Sequence, residues 1–117
     1  MAPNKKYDFQ DRLIAFAGDV ILMVAAMPKN LAGKYLFDQI MRSSGSSALN
    51  FGETQGTGST RDYLAKARIS LKELRETEVN LRIMRHVKYG DQERERLHAE
   101  NIELIKILTT IIKNRQE

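Results

Sequence analysis

The side chains that could carry chemistry are few and scattered along the chain. The two histidines, His86 and His98, fall on different helical segments. Neither sits in a pattern such as H-E-x-x-H, which puts two imidazoles on one helix face to share a metal. A lone histidine is more often a packing or surface residue. The absence of cysteine removes disulfides, thiolate metal ligands and cysteine nucleophiles. No nucleophile-elbow motif presents a serine, and the glycines of "GETQGTG" follow no strand and precede no P-loop lysine. Glu93, Glu95, Glu100 and Glu103 spread around their helix and alternate with Arg94 and Arg96, as on a solvated face. This pattern predicts no catalytic residue, no metal and no cofactor, and puts an enzyme third behind two kinds of binding protein.

Charge says more. The chain carries 19 Lys and Arg against 15 Asp and Glu, a net of +4. The stretch Arg61–Gly90 alone has eight cations and four anions, which accounts for the whole excess. At about 100° per residue, Arg61, Arg68, Lys72, Arg75, Arg82 and His86 fall on one face of a helix. Such a stripe suits nucleic acid, because neutralising phosphates releases counterions without requiring base-specific geometry. The plainer account is salt bridging: Lys72 to Glu76, Arg75 to Glu78 and Glu78 to Arg82 stand at pairing distance along the helix. Only Phe51 and Tyr63 lie near the stripe in sequence, so stacking of single-stranded bases gains little support. The partner is therefore RNA or DNA on one reading, and a protein with acidic side chains on the other.

Four helical segments, at about 8–27, 31–55, 60–88 and 91–115, must position these residues. The first repeats Phe9, Leu13, Phe16, Val20, Val24 and Met27 and is stopped by Pro28. Asn30 is a candidate N-cap for the second, and Ser59 with Asp62 stands at capping-box spacing for the third. The third continues through Leu64, Ala67, Leu71, Leu74, Leu81 and Met84, and Gly90 suits its C-cap. Asp91 can cap the last helix, with a seam of Leu97, Ile105, Leu108, Ile111 and Ile112.

The stretch "MRSSGSSALNFGETQGTGST" holds four of the seven glycines and has the composition of a flexible linker. Yet Gly33, Leu36, Ile40, Ser44, Ser47, Phe51 and Thr54 keep alternating steps of three and four straight through it. That register predicts helix to about Gln55, with a face kept small so that a neighbour can come close; "GTGST" is the turn.

At 117 residues, with 42% hydrophobic and 29% charged side chains, one folded domain over 1–117 is expected. Short connections between four amphipathic helices predict an all-α, antiparallel up-down-up-down four-helix bundle. Ile14, Ile21 and Leu22 on helix 1, and Ile69, Ile83 and Val87 on helix 3, lie outside the main seams and predict a homo-oligomer interface. The start "MAPNKKYDFQ" lacks a signal peptide's apolar core, and the apolar run Leu13–Met27 is too short to cross a bilayer. A cytoplasmic protein with no membrane partner is expected.

"AMPKNLAGKYLFDQIMRSSGSSALNFGETQG" and "ARISLKELRETEVNLRIM" resemble the bacterial four-helix-bundle proteins encoded within intervening sequences of large-subunit (23S) rRNA genes. The likeness runs from "YDFQDRLIAFAGDVI" to "ELIKILTTIIK", and "RSSGSSALNFGE" and "SLKELRET" are its most specific parts. It implies homopentameric barrels of antiparallel bundles, a poorly defined general function and no catalytic residues. It also implies a distant relationship to the accessory protein of diversity-generating retroelements, which partners a reverse transcriptase and nucleic acid.

Overall fold

The computed structural model describes residues 8–116. Four α-helices follow one another: α1 (Asp8–Ala25), α2 (Leu31–Gly52), α3 (Thr60–His86) and α4 (Gln92–Gln116), with a 3-10 turn at Glu53–Gly56 after α2. Each helix packs on its two neighbours in a ring: α1 on α2 and α4, α3 on α2 and α4, with no close backbone approach across either diagonal among the described residues. Their directions alternate: Gln10 near the start of α1 donates to the Ala48 carbonyl near the end of α2 at 3.1 Å, and along α1 Arg12 meets Glu100 of α4 at 2.8 Å while the later Asp19 meets the earlier Arg96 at 3.1 Å. This is the antiparallel four-helix bundle that the periodicity predicts.

The caps show why the helices start where they do. Asn30 has extended backbone and its side chain accepts from the Gly33 N–H at 2.7 Å; Ser59 accepts likewise from the Asp62 N–H at 3.1 Å. Each satisfies a backbone donor that the first turn would otherwise leave unpaired. The end of α3 differs from expectation. The residue in left-handed conformation is Lys88, at φ 64°, with Lys88 N–H to Arg85 O at 3.1 Å and Tyr89 N–H to Met84 O at 2.8 Å. That pair of bonds is a Schellman motif, which needs its left-handed residue one position after the Val87 cap. Gly90 takes φ +81° two residues later, where a Cβ would come within 2.8 Å of the Met27 side chain. The Tyr89 hydroxyl donates to Asn30 Oδ1 at 3.2 Å, joining the two connections at that end of the bundle.

All seven residues of the predicted α2 register, from Gly33 to Thr54, are buried. The α-helix ends at Gly52, and Thr54 extends the stripe in the 3-10 turn. The small face of α2 meets a matching one on α3. Ser43, Ser47, Ser70 and Thr77 are fully buried. The Ser70 hydroxyl donates to the Ser47 carbonyl at 2.7 Å, while Ser43 Oγ lies 2.7 Å from Thr77 Oγ1. Each hydroxyl also has a carbonyl acceptor in its own helix, Glu73 O at 2.9 Å for Thr77 and Ile40 O at 3.4 Å for Ser43. Hydroxyls this deep cost free energy unless paired, and these are paired. On α4 the core seam is Leu97, Asn101, Leu104, Leu108 and Ile112. Asn101 Nδ2 donates to the Leu74 carbonyl at 3.3 Å, and Ile105 and Ile111 sit only at the edge of the core.

Gly45 has open space where a Cβ would go, whereas Ser47 is closed in. Ser47→Leu should therefore destabilise by about 1–3 kcal/mol through overpacking, and Gly45→Ala should stabilise by about 0.5–1 kcal/mol through helix propensity. Urea denaturation of the two variants checks both signs. Equal effects would contradict the packing described here.

Candidate nucleic-acid interface

The face of α3 that looks away from the core is fixed by the face that enters it. Tyr63, Ala67, Ser70, Leu74, Thr77, Leu81 and Met84 are buried and recur at steps of four and three. The opposite side, about 180° away, must then point outward. Arg61, Arg68, Lys72, Arg75, Arg82 and His86 all lie there, exposed, as the charge pattern predicts.

Their partners differ from expectation. Lys72 does reach Glu76, at 3.7 Å. Glu78 pairs with neither Arg75 nor Arg82, because it leans toward α4, where it lies 3.5 Å from His98 Nε2. His98 is buried, and its Nδ1 lies 2.6 Å from the Arg85 guanidinium. Arginine has no lone pair to offer, so Nδ1 accepts and the ring proton sits on Nε2, facing the Glu78 carboxylate. Lys66 is held by Glu53 at 2.6 Å, and Arg85 by Glu95 at 2.8 Å. Among the described residues, Arg61, Arg68, Arg75 and Arg82 have no carboxylate within salt-bridge distance. They stand one heptad apart, about 10 Å along the axis.

α2 contributes a cation that the linear sequence conceals. Arg42 meets Glu76 at 2.7 Å and Glu73 at 3.4 Å, and its hydrogen bond holds the Glu76 carboxyl below the usual range. Position 42 comes beside 73 and 76 only once the two helices are aligned antiparallel. The acids nearest the arginine column are thus largely occupied from the α2 side.

The apolar flanks divide. Ile14, Ile21 and Leu22 are exposed on α1, beside Gly18, whose Cβ direction is also open. Ile69, Ile83 and Val87 are exposed on α3, and the structure adds Val79 to them. Val79 lies four residues from Arg75 and three from Arg82, so cations and aliphatics share one face. No three His, Asp or Glu side chains converge as a metal site among the described residues. No helix there is long and apolar enough to cross a membrane.

The hydrogen bonds of Arg85 and then Arg94 hold the Glu95 carboxyl down at about 2. An unfolded glutamate titrates near about 4.3, so the Arg85–Glu95 link between α3 and α4 stabilises above that pH and is lost as pH falls toward 2. Glu95→Gln should melt lower than the parent at pH 7, with the gap closing between about pH 5 and 2. A gap independent of pH in calorimetric scans would remove this role from Glu95.

The sequence pattern of the "23S rRNA-intervening sequence protein" family matches residues 5–110. A solved protein from Bacteroides thetaiotaomicron, described as of unknown function and from the S23 ribosomal protein family, superposes with a TM-score of 0.80 at 28% identity, over 90% of this chain and 98% of that one. No curated protein matches.

Proposed function

We propose, on the premise that the chain belongs to the family of 23S rRNA-intervening sequence proteins, that it is a non-enzymatic bundle that associates with itself and holds nucleic acid along the outer face of α3. The observation that carries this reading is the column Arg61, Arg68, Arg75 and Arg82, outward, evenly spaced and without carboxylate partners among the described residues. Guanidinium groups left free for phosphate contribute affinity by counterion release, and do so for any sequence. Such contacts favour a backbone, as in structured RNA or a duplex, over splayed bases. The only strongly exposed aromatic side chain among the described residues, Tyr35, belongs to α2 and not to the column.

Self-association uses the other side of the molecule. Ile14, Ile21 and Leu22, with Gly18 between them, form an apolar surface on α1 through which copies pack, five of them by the resemblance noted above. Copies joined through α1 would each present an arginine column, and simultaneous contacts would raise the affinity of the assembly. The protein would act in the cytoplasm.

Exchanging both Arg68 and Arg75 for Glu should weaken retention of duplex RNA and DNA alike and flatten the slope of log affinity against log salt by about 0.9 per lost phosphate contact. Helicity should be unchanged, since both side chains are exposed. A parent protein that retains no nucleic acid at low salt in a mobility-shift assay would overturn the reading. Ile21→Glu should convert the assembly to monomers in sedimentation velocity, and a monomeric parent at micromolar concentration would remove self-association.

A further inference from the structure

α3 carries two heptad seams. The buried one is Tyr63 to Met84. The second lies opposite and reads Ala65, Ile69, Lys72, Glu76, Val79, Ile83 and His86, again at alternating steps of four and three. In heptad notation the a positions are Asp62, Ile69, Glu76 and Ile83, and the d positions are Ala65, Lys72, Val79 and His86. All four positions before a are then arginine: Arg61, Arg68, Arg75 and Arg82. That flanking column is where coiled coils set the choice of partner.

The face is exposed along its length. Ile69, Ile83 and Val79 retain 39%, 40% and 51% of their accessible surface. A shallow, largely open depression of about 460 Å³ lies on the α2 side of this face, lined by Gln39 of α2 and by Lys72, Arg75, Glu76, Val79 and Asn80 of α3. The other flanking column offers no matching charge: Lys66 is engaged by Glu53, Glu73 is buried beside Arg42, and Asn80 and Val87 are neutral. Phosphates would occupy the arginines and leave the aliphatics between them wet. An α-helix repeats at the same interval as the column, buries a and d side chains, and can place carboxylates opposite every arginine.

We propose that the outer face of α3 is also a docking site for an amphipathic α-helix of a partner protein, acidic at its flanking positions, which competes with nucleic acid for the same arginines. The charge complementarity is one-sided, so the partner helix lies toward the Arg61–Arg82 edge. Lys72 and Glu76 in mid-seam require a polar residue opposite them, which fixes register. This inference goes beyond the nucleic-acid reading: docking of the helix stands apart from it, and only the competition rests on it.

The test uses the full chain and a synthetic four-heptad peptide with Leu at a and d except for Gln at the positions opposite Lys72 and Glu76, and with Glu at both flanking positions, whose like charges oppose self-pairing. The control peptide carries Lys in place of Glu. Fluorescence anisotropy should show the acidic peptide binding at least tenfold tighter than the control and displacing a labelled RNA duplex. Paired exchange Ile69→Ser with Ile83→Ser, or Val79→Ser alone, should weaken the peptide about tenfold while leaving RNA retention unchanged. Equal binding of the two peptides, or peptide affinity indifferent to the Ser variants, would overturn the proposal. So would dissociation of an oligomer by those variants, since a second copy would then occupy the face. A protein that binds the peptide and no nucleic acid would support the docking and sink the nucleic-acid reading together with the competition.

Discussion

The close approach of α2 and α3 through hydroxyl-bearing residues is the constraint on which the rest of the bundle depends. Ser43 against Thr77 and Ser70 against the Ser47 carbonyl are buried polar contacts with directional requirements, and an aliphatic core alone would not impose them. Rotating or sliding α3 by one residue would break the contact of Ser43 with Thr77 and strand the Ser70 hydroxyl, the latter at a cost of roughly 1–3 kcal/mol. The rotation of α3 is thereby set, and with it the direction in which every arginine on the far side points. The position of the charge column is a consequence of serines that never touch it.

Much of this architecture can be read in the chain, and what escapes reading escapes for identifiable reasons. On α2 the register survives a drop in side-chain size, so periodicity alone finds Ser44 and Ser47 in a stretch with the composition of a linker. On α3 the reciprocal positions, Ser70 and Thr77, are as buried as any leucine but look like polar interruptions, because hydrophobicity cannot report a hydroxyl paired across a helix seam. Asn101 is hidden for the same reason. The close of α3 misleads differently: glycine is the usual left-handed residue, yet the two Schellman bonds require that conformation at Lys88, and Gly90 answers to the crowding near Met27.

Electrostatic pairing was legible only where it is local. Lys72–Glu76 lies within one helix and forms, whereas Glu78 is drawn to a buried imidazole on α4 and abandons both of its expected arginines. Arg42 and His98 reach the candidate surface from other helices, and their influence exists only in three dimensions. The net effect runs against intuition from the linear chain. Tertiary contacts tie up carboxylates and leave the four heptad-spaced arginines bare, so folding sharpens the basic character of α3.

Among the described residues the helix backbones come close only around the perimeter of the ring, and neither diagonal pair does so. α1 and α3 are therefore opposite corners, with their outer faces turned away from each other. Free-energy changes at sites so separated add with little interaction. Any influence of one corner on the other has to pass through α2 and α4, on which both pack. The outer residues of α1 and α3 can therefore be exchanged on their own surfaces, without altering the core to which both helices contribute.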